Sequence, residues 1–182
     1  MAYESWSFKR KIQLDTTSSG ANVAGNVSNF PVLIRLDSSN FNFSQADADG
    51  ADIRFSDSDG TQLSYEIERW DSANQKAVIW VRVPQVDGNS NQDYIYMHWG
   101  KSGQITESNG PNTFESGNGY QAVWHLNEDP SGGLQENVVH METRVAKRVE
   151  LISRCLLEMQ ANSVLQVQDM EATYIYMVGK MA

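Results

Sequence analysis

The stretch Val78–Val83, VIWVRV, alternates with period two: Val78, Trp80 and Arg82 point one way, Ile79, Val81 and Val83 the other. That alternation belongs to a strand with one face on a core and the other toward solvent or a second layer. It does not stand alone. Strand-type runs at Trp6–Leu14, Pro31–Leu36, Ala51–Phe55, Leu63–Trp70, Ala77–Val83, Tyr94–Trp99 and Gln121–Leu126 are set off by clusters of Gly, Asn, Asp and Ser. Seven short strands with no convincing helix between them predict an all-β fold, a jelly-roll-like sandwich of antiparallel sheets.

The pattern stops near Gly133. All 5 Trp, all 6 Phe, all 4 Pro and 12 of the 13 Gly lie in residues 1–133, whereas five of the 7 Met and the lone Cys155 lie in 134–182. In that second part Val138, Met141, Val145, Val149, Ile152, Leu156 and Met159 follow one another at steps of 3, 4, 4, 3, 4 and 3. Such spacing makes one apolar stripe on a helix, flanked by Arg144, Lys147, Arg148, Glu150 and Arg154. A β-leaning stretch, VLQVQDMEATYIYMV, comes after Asn162. The expected fold is therefore an all-β sandwich with a C-terminal helical or irregular appendage. A stripe with no core to cover predicts a dimer through 138–159.

Charge narrows the classes of function. The formal net charge is −9, and residues 1–133 hold 9 Lys+Arg against 17 Asp+Glu. This argues against a nucleic-acid partner, which requires a basic footprint. No run reaches the ~18 consecutive apolar residues of a membrane span. A single cysteine forms no intramolecular disulfide. The opening MAYESWSFKRKI has no apolar signal core, so any secretion signal is expected to lie outside this chain or never to have existed.

Several ordered motifs carry a family resemblance. DGADIRFSDSDG (Asp49–Gly60) is followed by LSYEIERWD (Leu63–Asp71), AVIWVRVP (Ala77–Pro84) and YIYMHWG (Tyr94–Gly100), with FPVLIRLDSSNFNF upstream. Together they resemble domain of unknown function 2341, over roughly the first 105 residues. That family occurs in bacterial and archaeal surface proteins and in some proteins described as MotA/TolQ/ExbB-type proton channels. Its members often precede a concanavalin A-like, laminin-G-like lectin module. AVWHLNEDPSGG (Ala122–Gly133) resembles the opening strand of such a module. The resemblance implies a division into 1–105, the sandwich domain; 106–133, a linker and first lectin-like strand; and 134–182, an aberrant tail. His140–Thr143 back-translates as CAY-ATG-GAR-ACN, which two nucleotides later reads His or Tyr, Gly, then Asn or Asp, close to the G-N step expected in lectin-like relatives. The tail is thus either a genuine helix or a frame-shifted continuation, and the coding DNA decides between them.

Two constellations could carry chemistry. Asp47, Asp49, Asp52, Asp57 and Asp59 could supply the hard oxygen ligands calcium takes. Their spacing does not match the EF-hand loop, and Asp57–Gly60 also suits a plain hairpin turn. Arg54 is expected to serve as a charge partner within this cluster. Tyr94, Tyr96 and His98 share the face of their strand opposite Ile95, Met97 and Trp99, which read as core. Aromatic faces beside polar side chains suit a glycan, and the same residues suit a cross-strand aromatic ladder.

Catalysis finds little footing. His98, His125 and His140 fall in no zinc spacing and beside no nucleophile motif. Glu66 and Glu68 share a strand face, as glycosidase carboxylates could, and exposed glutamates on a half-solvated strand look the same. Cys155 has no reactive signature. The expectation is a non-catalytic module, extracellular, at the cell surface or periplasmic, that binds carbohydrate or serves adhesion. The alternatives are a structural spacer of a surface protein and a periplasmic accessory domain of a MotA/TolQ/ExbB-type proton channel protein.

Overall fold

The computed structural model describes residues 3–115, 120 and 123–125. The helical stripe at 138–159, Cys155, His140 and the β-leaning stretch lie outside the described residues. The chain forms two compact units, Met1–Asn118 and Gly119–Ala182. Of the second, Tyr120 and Val123–His125 are described, with Val123 and His125 buried.

Six strands build the first unit: β1 Phe8–Gln13, β2 Val27–Asp37, β3 Arg54–Ser56, β4 Tyr65–Asp71, β5 Lys76–Val86 and β6 Tyr94–Trp99. They form two antiparallel three-stranded sheets, ordered β1-β6-β3 and β2-β5-β4. The alternation read from the sequence decides which side of each strand is buried. Ile79, Val81 and Val83 of β5 and Ile95, Met97 and Trp99 of β6 face a single apolar cluster. Phe55 of β3, Tyr65 of β4 and Ile34 and Leu36 of β2 complete it. The two inner faces thus close on one core, the arrangement of a β-sandwich. Ile79, Val81, Phe55 and Ile95 are 0% exposed. Cutting any of them to Ala costs about 2–5 kcal/mol, through lost transfer energy and the cavity left behind.

The strand boundaries differ from expectation for local reasons. β2 begins at Val27, four residues before Pro31. Pro31 lacks an N–H, but β2 is an edge strand and one side of it needs no donor. β1 begins at Phe8, because Tyr3–Ser5 form a turn that carries Trp6 away from the ladder. In the seventh run, the described residues Val123–His125 form no strand.

Two glycines are required by their surroundings. Gly50 has φ +72° and an added Cβ would sit 2.7 Å from the Trp70 indole; Gly100, just after β6, has φ +84° and a Cβ there would meet the Phe8 ring at 2.4 Å. Gly100 lets the chain turn so that its N–H, and that of Lys101, reach the Asp52 carboxylate at 2.6 and 3.2 Å. After the turn, residues 105–114 return along β4. Asn109 N–H donates to the Tyr65 carbonyl at 2.7 Å, and Ile67 N–H donates to Ser108 Oγ at 2.8 Å. A short helix, α1 Gly110–Thr113, starts at Asn109, whose side chain accepts from Asn112 N–H. It brings Phe114 to 5.5 Å from the Trp80 ring.

Candidate functional site

The outward side of the β1-β6-β3 sheet is built from the residues that alternate away from the core. From β1 these include Lys9 and Lys11, from β6 Tyr94, Tyr96 and His98, and from β3 Arg54 and Ser56. Register sets Lys9 opposite His98 and Lys11 opposite Tyr96. Each lysine leans one diagonal step along the sheet. The Lys9 ammonium lies 3.5 Å from the centre of the Tyr96 ring, and that of Lys11 3.9 Å from the centre of Tyr94. The two tyrosine rings meet edge to face, with centres 5.4 Å apart. Both remain half-buried. Diagonal neighbours on one sheet face are within reach of long side chains, and a cation over a ring is held by the ring quadrupole.

His98 differs from its two partners. It is 5% exposed, shares a 2.9 Å hydrogen bond with Ser56 Oγ, and has the Tyr3 ring 4.7 Å away. Burial, and then the Lys9 charge, push its imidazole down to about 4, so the ring is neutral at neutral pH. The Tyr3–Trp6 segment closes this end of the face: Tyr3 meets Trp6 edge to face, and the Lys101 ammonium sits 4.2 Å above Trp6. Burial, and then the Glu107 charge, push the Tyr3 hydroxyl up to about 12. The structure therefore brings Tyr94, Tyr96 and His98 onto one face, where His98 is buried and the tyrosines are half-buried.

The five aspartates do not gather into one site. Asp47, Asp49 and Asp52 share the loop before β3, while Asp57 and Asp59 belong to the β3–β4 turn. Asp52 is 1% exposed and fastens that loop, accepting from Asp47 N–H as well as from Gly100 and Lys101. Asp49 accepts from Ala51 N–H, Asp57 from Ser58 N–H and Asp59 from Thr61 N–H. Burial, then the charges of Asp52 and Asp49, hold the Asp47 carboxyl above its usual range. Among the described residues no three His, Cys, Asp or Glu side chains are placed to hold a metal ion.

Arg54 is not paired with this cluster, contrary to expectation. Its side chain turns to the seam between the sheets, where it donates to the carbonyls of Ala51, Ile53 and Ile105 and to Tyr65 Oη, at 2.7–3.2 Å. Its Nε lies 3.2 Å from the Glu107 carboxylate. The guanidinium thus ties β3 of one sheet to β4 of the other and to the returning segment. A planar fork with five donors suits that task.

On the other sheet, Glu68 sits at a bulge between Ile67 and Arg69 and accepts the Trp80 indole N–H at 2.7 Å. Glu66 lies opposite Trp80 in register.

Sequence reasoning passed over Lys9 and Lys11 as site residues. Their shared face was readable from the alternation in β1; that β1 lies beside β6 was not.

Residues 49–125 match the family model described as Domain of unknown function (DUF2341). Over that segment the chain is similar to the family. The DUF2341 match takes in β3, β4, β5 and β6, and with them the motifs from DGADIRFSDSDG to YIYMHWG. β1 and β2 precede it, although each supplies a strand to one of the two sheets. The lysine side of the outward face thus comes from outside the DUF2341 match, and the tyrosine side from within it. No curated protein and no solved structure matches the chain.

Proposed function

We propose that this chain is a non-catalytic module of a surface or extracellular protein that binds carbohydrate through the outward side of the β1-β6-β3 sheet. The observation that carries the reading is the pair Tyr94 and Tyr96, adjacent, half-buried and turned away from the core. Amphipathic rings on a rigid strand offer contact area at low entropic cost. An acidic surface and turns rich in Asn, Ser and Gly accord with display outside the cytoplasm or in the periplasm, and the family's usual company in surface proteins supports the same placement.

A structural spacer is the second reading, and one observation favours it: His98, the third member of the face, is buried under Tyr3. A glycan array with the purified chain, with and without calcium, separates the two. Specific binding that disappears in a Tyr94→Ala/Tyr96→Ala variant of unchanged circular dichroism supports the carbohydrate module. Calcium dependence would bring the aspartate loops back as ligands. A folded chain that binds nothing in either condition favours the spacer.

A further inference from the structure

The faces of Tyr94 and Tyr96 are not bare. Each carries an ammonium at 3.5–3.9 Å from its ring centre. A neutral sugar stacking on that side of the ring would have to displace a cation, whereas a sugar bearing a negative charge would meet one already in place. We propose that the ligand of this face is an anionic glycan, bound through its carboxylate or sulfate groups by Lys9 and Lys11, with Tyr96 and Tyr94 as the floor that positions them. The inference rests on the carbohydrate reading above and changes what does the recognising: the cation rather than the ring.

Three features of the molecule support it. First, the two ammonium groups are available. Among the described residues no carboxylate pairs with either of them; the ion pairs belong to Arg54, Arg69 and Arg82. A lysine head has three donors, and a ring beneath it satisfies none of them fully, so donors remain for an incoming oxyanion. Second, the pair is spaced and held. Lys9 and Lys11 are two residues apart on β1, about 6.8 Å along the strand. Contact with the rings removes part of the rotamer freedom that free lysines would lose on binding. Third, the charge lies on the right scale. A chain of net −9 repels a polyanion as dense as duplex DNA, with one charge per ~1.7 Å, but tolerates an oligosaccharide with one charge per sugar. A lipid surface is the poorer fit, because among the described residues the large exposed apolar ones, Phe30 and Ile105, lie on none of the strands β1, β6 and β3.

β1 is also an edge strand, where lysines commonly serve to block sheet-to-sheet pairing. Lysines acting only in that way would govern self-association and leave glycan binding untouched.

Calorimetric titration of the full chain with two matched pairs tests the proposal: tetragalacturonate against its methyl ester, and a chondroitin 4-sulfate tetrasaccharide against its desulfated methyl ester. Within each pair the shape is kept and the charge is lost. Phosphatidylglycerol vesicles and polyglutamate serve as anionic partners that are not sugars. The expected result is binding of at least one charged sugar and not of its neutral partner, weakened about fivefold for each of Lys9→Gln and Lys11→Gln and further weakened by salt. Equal binding of charged and neutral sugars, indifferent to both substitutions, overturns the anionic assignment and leaves the carbohydrate reading standing. Lysine-dependent binding of vesicles or polyglutamate without sugar binding overturns it in favour of a different anionic partner. Failure of all four sugars, together with an empty glycan array, overturns both. Self-association in the Gln variants with sugar binding unchanged assigns the lysines to edge protection and overturns it as well.

Discussion

The two sheets carry the same kind of alternating strand at their centres, yet their outward sides have opposite fates. On β5 the outward aromatic is Trp80, half-buried like the tyrosines of β6. Its indole N–H is taken by Glu68 and its ring is met by Phe114, carried in by the segment that returns after β6. On β6 the outward aromatics are Tyr94 and Tyr96, half-buried and topped by lysines rather than by apolar side chains. Period two alone cannot tell these apart. What decides is the chain that comes to lie over each sheet, and over β6 the Tyr3–Trp6 turn covers only the His98 end. An outward aromatic is therefore a packing element where a later segment reaches it and a free surface where none does.

Substitutions that should differ in size put this contrast at risk. The largest effect is expected at the seam that both sheets share: Arg54→Met takes the guanidinium donors from the Ala51 and Ile105 carbonyls and from the Tyr65–Ile53 hydrogen bond they support, and should cost about 3–4 kcal/mol in urea unfolding. Trp80→Ala should follow at about 3 kcal/mol, since it removes a packed ring and the indole donor to Glu68. The Tyr94→Ala/Tyr96→Ala pair should cost only about 1–2 kcal/mol together, because each ring is half-open. If the tyrosine pair costs as much as Trp80, the two faces do not differ and the contrast fails.

Two smaller effects sharpen it. The folded pKa of His98 is lowered from 6.5 to about 4. Between those values the unfolded chain binds the proton that the folded chain refuses, so this contribution is complete above about pH 6.5 and is lost as pH falls toward about 4. The groups around the ring are Lys9 beside it, Arg54 opposite in register, Ser56, Tyr3 and Tyr96. A His98→Gln variant should show a flatter decline of stability over that range, read by urea unfolding at stepped pH. An equal slope in both proteins would place the imidazole in solvent. The smallest effect belongs to the lysines: Lys9→Gln/Lys11→Gln should change stability by about 0.5 kcal/mol or less, since a cation over a half-exposed ring contributes little. A larger loss would mean that the lysines hold the fold together rather than wait for a ligand.

Some of this was legible in the sequence. The buried set of β5 and β6, Ile79, Val81, Val83, Ile95, Met97 and Trp99, follows from alternation alone, because period two is a local property of the chain. The two-sheet fold followed from the number and spacing of such runs. What alternation could not supply was pairing. Arg54 finds Glu107 53 residues later, in a segment with no strand pattern, so it was assigned to the nearer aspartates. Asp52 looked like a calcium ligand, and its oxygens go to backbone N–H groups of Asp47, Gly100 and Lys101. Lys9 and Lys11 looked like an ordinary basic run until β1 was laid beside β6. Each miss concerns a partner far away in the chain, which no local pattern encodes.

Hydroxyl-radical footprinting of the free chain and of the chain with tetragalacturonate, or with the chondroitin 4-sulfate tetrasaccharide if that is the sugar it binds, addresses the central claim most directly. The account predicts that the bound sugar protects Tyr94 and Tyr96 from oxidation and leaves Trp80 unchanged. Tyrosines oxidised equally with and without a sugar that binds, or protection that falls around Trp80 instead, would contradict it.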